Sequence, residues 1–389
     1  PGVIARMPIS MDSLALIFIV VAVSDSYAIA GALSAVASVT MALATPHWSR
    51  VADRIGQSAM LVRVIPIKVT AFVVFTFLVL QETPTWTWFV SIIIAEAFSV
   101  NTGGLVRRRW LHILNPDKTT TAEDEKDRHL VNTAYSFEAL MDEVVFILGP
   151  IIVTACATSI APAAGVISGI LFVVIGFPLF ITAKATEPPA TPKRDVDPHP
   201  AVIRNKRVQA VVLATTLLGG FFGSIAIVTV AFAEARGHES QSGILLAIWA
   251  LGSAVAAIIN GVIKWKLPSA VRFLIFLFAL TLLSIPMLFA HSITWLAVAL
   301  FFNGFAIAPL VINAYGVAEG AVPAEQITET LTWVVAGMPM GGAISSALSG
   351  QIIDRFGADI AFWVPLGFMI AACAATLPYF STYKALIGY

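Results

Sequence analysis

Long apolar runs, each close to the length needed to cross a bilayer, follow one another along the chain. In the first part they fall at residues 2–24, 26–48, 59–81, 85–106, 133–157 and 162–184. After a polar stretch they resume at 207–233, 242–264, 270–290, 293–318, 327–352 and 360–380. About 20 apolar residues in a helix span the hydrocarbon core, so each run predicts a transmembrane helix. The runs are continuous and do not alternate with period two, which excludes a membrane β-barrel. The expected fold is all-α, with twelve transmembrane helices in two groups of six.

The divider contains Pro188, Pro189, Pro192, Pro198 and Pro200 interleaved with charged side chains. Proline removes a backbone donor and breaks helices, so this stretch reads as a linker. The expected organisation is an N-terminal six-helix bundle over residues 1–185, a cytoplasmic linker at 186–206 and a C-terminal six-helix bundle over 207–389. The halves are faintly alike. Residues 149–165 and 341–357 each run from a glycine-rich helix through a tight turn into an apolar one. Paired halves of this kind are typical of transporters.

Composition narrows the function classes. Hydrophobic residues make up 58% of the chain and charged residues 12%, about half the charged share of a soluble domain. Lipid accommodates this balance, because it removes the penalty for exposed apolar side chains. The formal net charge is zero, which points to no nucleic acid and no acidic partner. There is no G-x-x-x-x-G-K-[ST] phosphate loop, so ATP does not drive the chain directly. The six histidines lack metal-ligand spacing, and Cys156 and Cys373 stand apart in apolar runs as inert thiols. No enzyme activity, metal or cofactor is expected, and the expected state is a monomer in lipid. The chain begins at Pro1 without a signal-peptide n-region or small-residue cleavage site, so the first run is expected to stay as a membrane helix.

Basic residues give an orientation. Arg50 and Arg54, then Arg107, Arg108, Arg109, Lys118, Lys126 and Arg128, then Lys193, Arg194, Arg204, Lys206 and Arg207 all fall on one side. The excess predicts that even-numbered helices end in the cytoplasm and that both termini are cytoplasmic. Residues 115–130 are polar and are expected on the membrane surface as a loop or short helix.

The loop between the second and third runs reads Ser49-Arg-Val-Ala-Asp53-Arg54-Ile-Gly56-Gln57-Ser58. It resembles the G-x-x-x-D-R-x-G-R-K loop of the major facilitator superfamily. Asp53, Arg54 and Gly56 match, Ser49 replaces the first glycine, and Gln57-Ser58 replace the basic pair. The replacements are expected to weaken the charged cluster and keep its centre. Gly149-Pro150 resembles the G-P of the antiporter motif found in exporters of that superfamily, although the motif's other glycines are missing. Residues 349–357 echo the first loop and read as a structural turn. The helix-four pattern R-x-x-Q-G is absent, and Glu96-Ala-Phe-Ser-Val-Asn101-Thr-Gly-Gly stands in its place, which puts arginine-based coupling in doubt. The stretches LVRRRW and SFEALMDEVVF are similar to a branch of bacterial members. The resemblance implies a latch at Asp53, Arg54 and Gly56 that holds the outward-facing state. It also implies a cavity lined by helices one, four, seven and ten.

Ionisable residues inside the apolar runs carry the most chemical weight. A charge at the bilayer centre costs at least ~2.5 kcal/mol, so it needs a partner or water. Glu138 and Asp142 lie four apart on one face of the fifth run, and Glu143 points about 100° away. Three carboxylates within two turns repel one another and call for a cation or a proton. Arg6 is the expected cation, and Asp12 is expected in the same network. These five residues are the proton-coupling candidates. Lys68 and Glu96 lie mid-run on neighbouring helices and suggest a structural ion pair. Glu96, Asn101, Asn303, Asn313, Glu329 and Trp333 are the candidates for lining a cavity, although Glu329 also suits a helix N-terminus and Trp333 an interface anchor. Gly337, Gly341 and Ser345 read as a close-packing face.

The expectation is a secondary transporter in a bacterial plasma membrane, exporting a small amphipathic or hydrophobic molecule against proton entry by alternating access. Its partners are the bilayer, the substrate and protons. Uptake or exchange of a polar metabolite such as a sugar or amino acid is the alternative within transport. A scaffold or lipid-handling protein without flux is the alternative outside it.

Overall fold

The computed structural model describes residues 1–114, 125–190, 205–263, 265–322 and 327–377, without the side chains of 125–129, 131–132, 135–136, 207, 319, 327–329 and 332. Among the described residues the secondary structure is helical throughout, with no strand. The helices are α1 (Gly2–Arg6), α2 (Pro8–Ser24), α3 (Tyr27–Ile55), α4 (Gln57–Leu80), α5 (Thr85–Ala97), α6 (Thr102–Leu114), α7 (Glu125–Ser159) and α8 (Pro162–Thr182). They continue as α9 (Lys206–Glu234), α10 (Ser242–Val262), α11 (Ser269–Ser284), α12 (Ile293–Gly304), α13 (Ile307–Gly320), α14 (Ile327–Phe356), α15 (Ala358–Ala361) and α16 (Trp363–Thr376).

Eleven helical stretches among the described residues are long and apolar enough to cross a membrane. They match the expected runs except 327–352. That run is the 30-residue helix α14, but Gly337, Gly341, Gly342, Ser345, Ser346, Ser349 and Gly350 dilute its apolar character. The polar residues 125–130 open α7, so that part of the expected surface segment is the start of a spanning helix. Residues 115–124 lie outside the described residues. α2 is apolar along most of its length, with Ser10, Asp12 and Ser13 gathered near its start.

Contacts group the chain into two units, one of residues 1–19 and 40–195 and the other of residues 20–39 and 196–389. The stretch 20–39, which precedes the linker, therefore groups with residues that follow it.

In the first unit α4 packs on α5 and α8, and α7 on α8. Its apolar interior includes Met60, Leu61 and Val64 from α4, Leu105 and Val106 from α6, and Val173, Phe177 and Phe180 from α8. Two close approaches replace side chains with backbone. A Cβ on Gly176 would meet the backbone of Ala5, and one on Gly149 would meet the Ser10 hydroxyl.

In the second unit α9 lies along α14 and α16. The α9–α14 crossing is built on small residues. A Cβ on Gly219 would land on the Met338 carbonyl, and one on Gly341 on the Thr216 carbonyl. Such faces let backbones touch where lipid offers no hydrophobic drive to associate. The same helix receives residues 20–39 through Gly31 against Ser346 and Gly350 against Tyr27. At its end Asp354 accepts from Ser26 Oγ (2.8 Å), Tyr27 N (2.9 Å) and Ala28 N (2.9 Å). Three donors at the start of α3 are thereby satisfied by one carboxylate.

Candidate functional site

Several spans are interrupted along their length. At Met7 the first span loses one backbone hydrogen bond, because Pro8 lacks an N–H, while Met7 itself stays helical at φ −47° and ψ −42°. The fourth breaks between Ala97 and Thr102. There Asn101 caps the new helix, its Oδ1 accepting from Gly104 N at 2.9 Å. The freed Ala97 carbonyl accepts from the Trp48 indole at 2.7 Å. The tenth breaks at Phe305–Ala306, where Pro309 cannot donate back to Phe305. Breaks in the fourth and tenth spans occupy corresponding places in the two halves. Interrupted helices of this kind expose backbone polar groups that coordinate substrates and ions in transporters.

Just before Met7, Arg6 is fully buried. Its guanidinium forms ion pairs with Glu138 and, at 2.5 Å, with Asp142. Trp110 Nε1 donates to Glu138 at 2.7 Å, and Arg107 reaches Asp142 at 3.0 Å. Two guanidinium groups thus face two carboxylates, and the cluster is neutral. Glu143 lies outside it, partly buried, with no hydrogen-bond or ion-pair partner among the described residues. Gly149 and Pro150 sit two turns further along α7, where Ser10 Oγ donates to the Val145 carbonyl at 2.8 Å.

Asp12 does not join Arg6, contrary to the sequence expectation. Six residues along a helix turn through about 600°, which leaves the two side chains about 120° apart. Asp12 instead faces Lys68 of α4 at 3.4 Å, and Lys68 lies 3.9 Å from Glu96 of α5. Lys68 Nζ also donates to Ser99 Oγ at 2.9 Å, and Ser99 donates to Glu96. The side chains of Lys68, Asp12 and Glu96 are 12%, 24% and 6% exposed. The pairing of Lys68 with Glu96 is as expected, but Asp12 makes it a triad. One cation faces two carboxylates.

The loop motif forms a third cluster. Asp53 pairs with Arg108, and Gly56 holds the turn with φ +92°, a conformation other residues adopt at a cost. Arg54 is exposed. Two of the residues that depart from the superfamily pattern make hydrogen bonds at this corner. Gln57 Oε1 accepts from the buried Arg109 at 2.8 Å, and its Nε2 donates to the Leu105 carbonyl at 3.1 Å. Arg109 further donates to the carbonyls of Phe180 and Ala183, both at 2.9 Å, and stacks on the Phe180 ring. Ser58 donates to Glu187 through its backbone N–H (2.7 Å) and its hydroxyl (2.5 Å), so Glu187 caps α4. Burial pushes the Glu187 carboxyl up, but the Ser58 hydrogen bonds and Arg109 together bring it below its usual range. Glu187 and Arg109 were not singled out in the sequence. The only signal was a lone acid opening a proline-rich stretch.

The remaining cavity candidates lie apart from these clusters. Asn303 is fully buried inside the second unit, accepting from Trp249 Nε1 and donating to Ser284 Oγ, both at 3.0 Å. Asn313 is also buried and donates to the Pro309 carbonyl at 2.7 Å. Trp333 is exposed, and the Glu329 side chain lies outside the described residues. Asn101 serves as the helix cap above.

Residues 211–386 match the family model of the Major Facilitator Superfamily. No curated protein matches the chain in sequence. Among solved structures, the nucleoside transporter NupG is 15% identical, with 97% of each chain covered and a TM-score of 0.73. A bacterial homologue of the iron transporter ferroportin, in an inward-facing state, is 12% identical over 97% of this chain and 96% of that one, with a TM-score of 0.70. A POT-family peptide transporter carrying a Glu-to-Gln substitution is 10% identical over 99% and 94%, with a TM-score of 0.72. At such identities the likeness is one of fold. The chain is a multi-pass helical membrane protein with the fold of these transporters.

Proposed function

We propose that this chain is a secondary active transporter of the major facilitator superfamily, exporting a small amphipathic or hydrophobic molecule in exchange for protons by alternating access. The observation that carries the reading is the uneven placement of charge. The first unit holds two buried ionic clusters within its spans. In the second unit, the described ionisable side chains sit near span ends, as with Glu234, Arg236, Arg272, Asp354 and Asp359. One half is equipped to carry charge changes and the other offers an apolar surface. The acids of the first unit, Asp12, Glu138, Asp142 and Glu143, are the coupling candidates in this reading. Asp53, Arg54 and Gly56 act as its conformational latch. The residence is a bacterial plasma membrane with both termini cytoplasmic, following the distribution of arginine and lysine. In this reading residues 1–185 and 207–389 are the two bundles, although contacts group residues 20–39 with the second.

A second reading is uptake of a polar metabolite, favoured by the likeness in fold to nucleoside and peptide transporters. Purified protein in proteoliposomes, with a trapped pH dye and an imposed pH gradient, separates the two. Export predicts that amphipathic cations and neutral lipophilic compounds dissipate the gradient through the protein. Uptake predicts that nucleosides, sugars or peptides do so instead. Absence of any protein-dependent proton flux across both compound sets would sink both readings in favour of a non-transporting scaffold.

A further inference from the structure

The geometry points to Asp12, Lys68 and Glu96 as the site that holds the coupling proton, with Asp12 as the group that carries it. The inference rests on the proton-driven reading above and narrows it from several acids to one. The argument is a charge count. Arg6 and Arg107 balance Glu138 and Asp142, and Glu143, also uncompensated, touches no cation among the described side chains that its proton could move. The triad has two carboxylates and one ammonium, all largely buried, so it carries one negative charge too many for a membrane interior.

Its surroundings supply no second cation among the described side chains. On α2 and α1 the nearest base is Arg6, committed to Glu138 and Asp142. On α4, Arg63 is exposed and turns back to the Ala59 carbonyl. α5 contributes Glu96 and no base. On α6, Arg107, Arg108 and Arg109 engage Asp142, Asp53 and Gln57. α7 adds the acids Glu138, Asp142 and Glu143, and α8 has no titratable residue. A proton restores neutrality with no other reactant, Asp12 carboxylate plus H⁺ giving the carboxylic acid.

The contacts say which acid takes it. Glu96 has both Ser99 and Lys68, partners that suit an ionised carboxylate. Asp12 has Lys68 alone, at 3.4 Å against 3.9 Å from Lys68 to Glu96, without a hydroxyl donor such as Ser99, and it is the more exposed of the two, where a proton can reach it. Gly169 of α8 leaves room beside Asp12 Oδ1. Lys68 Nζ sits between the acids and touches Ser99 within the interruption of the fourth span. Losing the proton from Asp12 draws Lys68 away from Glu96 and Ser99, so the charge state acts on the break itself.

Infrared titration of the protein in phosphatidylethanolamine–phosphatidylglycerol vesicles tests this without a substrate. In a Glu143→Gln background, which removes the other unpartnered acid, the protein at neutral pH should show the carbonyl stretch of a protonated carboxyl, and it should vanish as pH rises. Asp12→Asn and Glu96→Gln should each abolish it, because either leaves a neutral pair with Lys68. Lys68→Met should raise it about twofold, because both acids then need protons. Lys68→Arg should leave it in place. Gel-filtration profile and far-ultraviolet circular dichroism check that each variant folds. A band missing from the Glu143→Gln background, or one untouched by both acid substitutions, overturns the proposal. So does a thermal shift produced by sodium and not by pH, which would make the site one for a metal cation. If the band behaves as expected while no pH gradient drives flux, the triad stands and the proton-driven export reading falls.

Discussion

Replacing Arg6 with methionine removes the one side chain that holds two carboxylates of α7 inside the first unit. Its charge lies about 4 Å from each, worth about 4 kcal/mol apiece at an effective dielectric of about 20. Glu138 and Asp142 lie one turn apart and repel by about 3 kcal/mol at about 6 Å on the same scale. The gross attraction is therefore about 5 kcal/mol, offset in part by the cost of burying the guanidinium. Removing one partner of a buried pair leaves the other uncompensated and typically costs about 3–5 kcal/mol. Methionine fills much of the same volume, so packing contributes little to the loss. Unfolding in mixed micelles titrated with sodium dodecyl sulfate, followed by tryptophan fluorescence, measures it. Arg6→Met should destabilise by about 3–5 kcal/mol. Adding Glu138→Gln should recover part of that, with a coupling energy of about 0.5–3 kcal/mol. A loss below about 1 kcal/mol, as for an exposed pair, would refute the reasoning, as would strict additivity.

Glu187→Gln weakens the cap on α4 and should cost about 0.5–2 kcal/mol at pH 7. Because the folded carboxyl sits below its ordinary 4.5, the wild-type advantage is full above the unfolded value and fades as pH falls through the folded one; a constant advantage down to strongly acid pH would contradict the cap. Gly341→Ala places a methyl against the Thr216 carbonyl and should lower stability by about 1–3 kcal/mol in the same micelle assay, whereas Gly320→Ala, with nothing within 4 Å, should not show that loss.

The spans were legible because bilayer thickness sets a length that apolar runs must meet. The pairing of Arg6 with Glu138 and Asp142, and of Lys68 with Glu96, was legible because charges stranded in such runs require partners. Assigning Asp12 needed the helix phase, which separates it from Arg6. The interruptions themselves were visible only as ingredients, Pro8, Asn101 with Gly103 and Gly104, and Gly304 with Pro309. Each of these residues is tolerated in some membrane helices, so composition alone does not say which one opens the backbone. The corner around Arg109 was hidden for a different reason. Its partners are largely main-chain carbonyls near the end of α8, and carbonyls leave no trace in a residue pattern.

Where α9 and α14 touch, main chain rests on main chain across Gly219, Gly223, Gly341 and Gly342. Such a seam has no rotamers to exchange and no thickness to yield, so the two rods can shift only as one stiff plank. Bending within the second unit then has to be taken up elsewhere, and the turn at Phe305–Ala306, where Pro309 leaves one helical bond unmade, offers a joint.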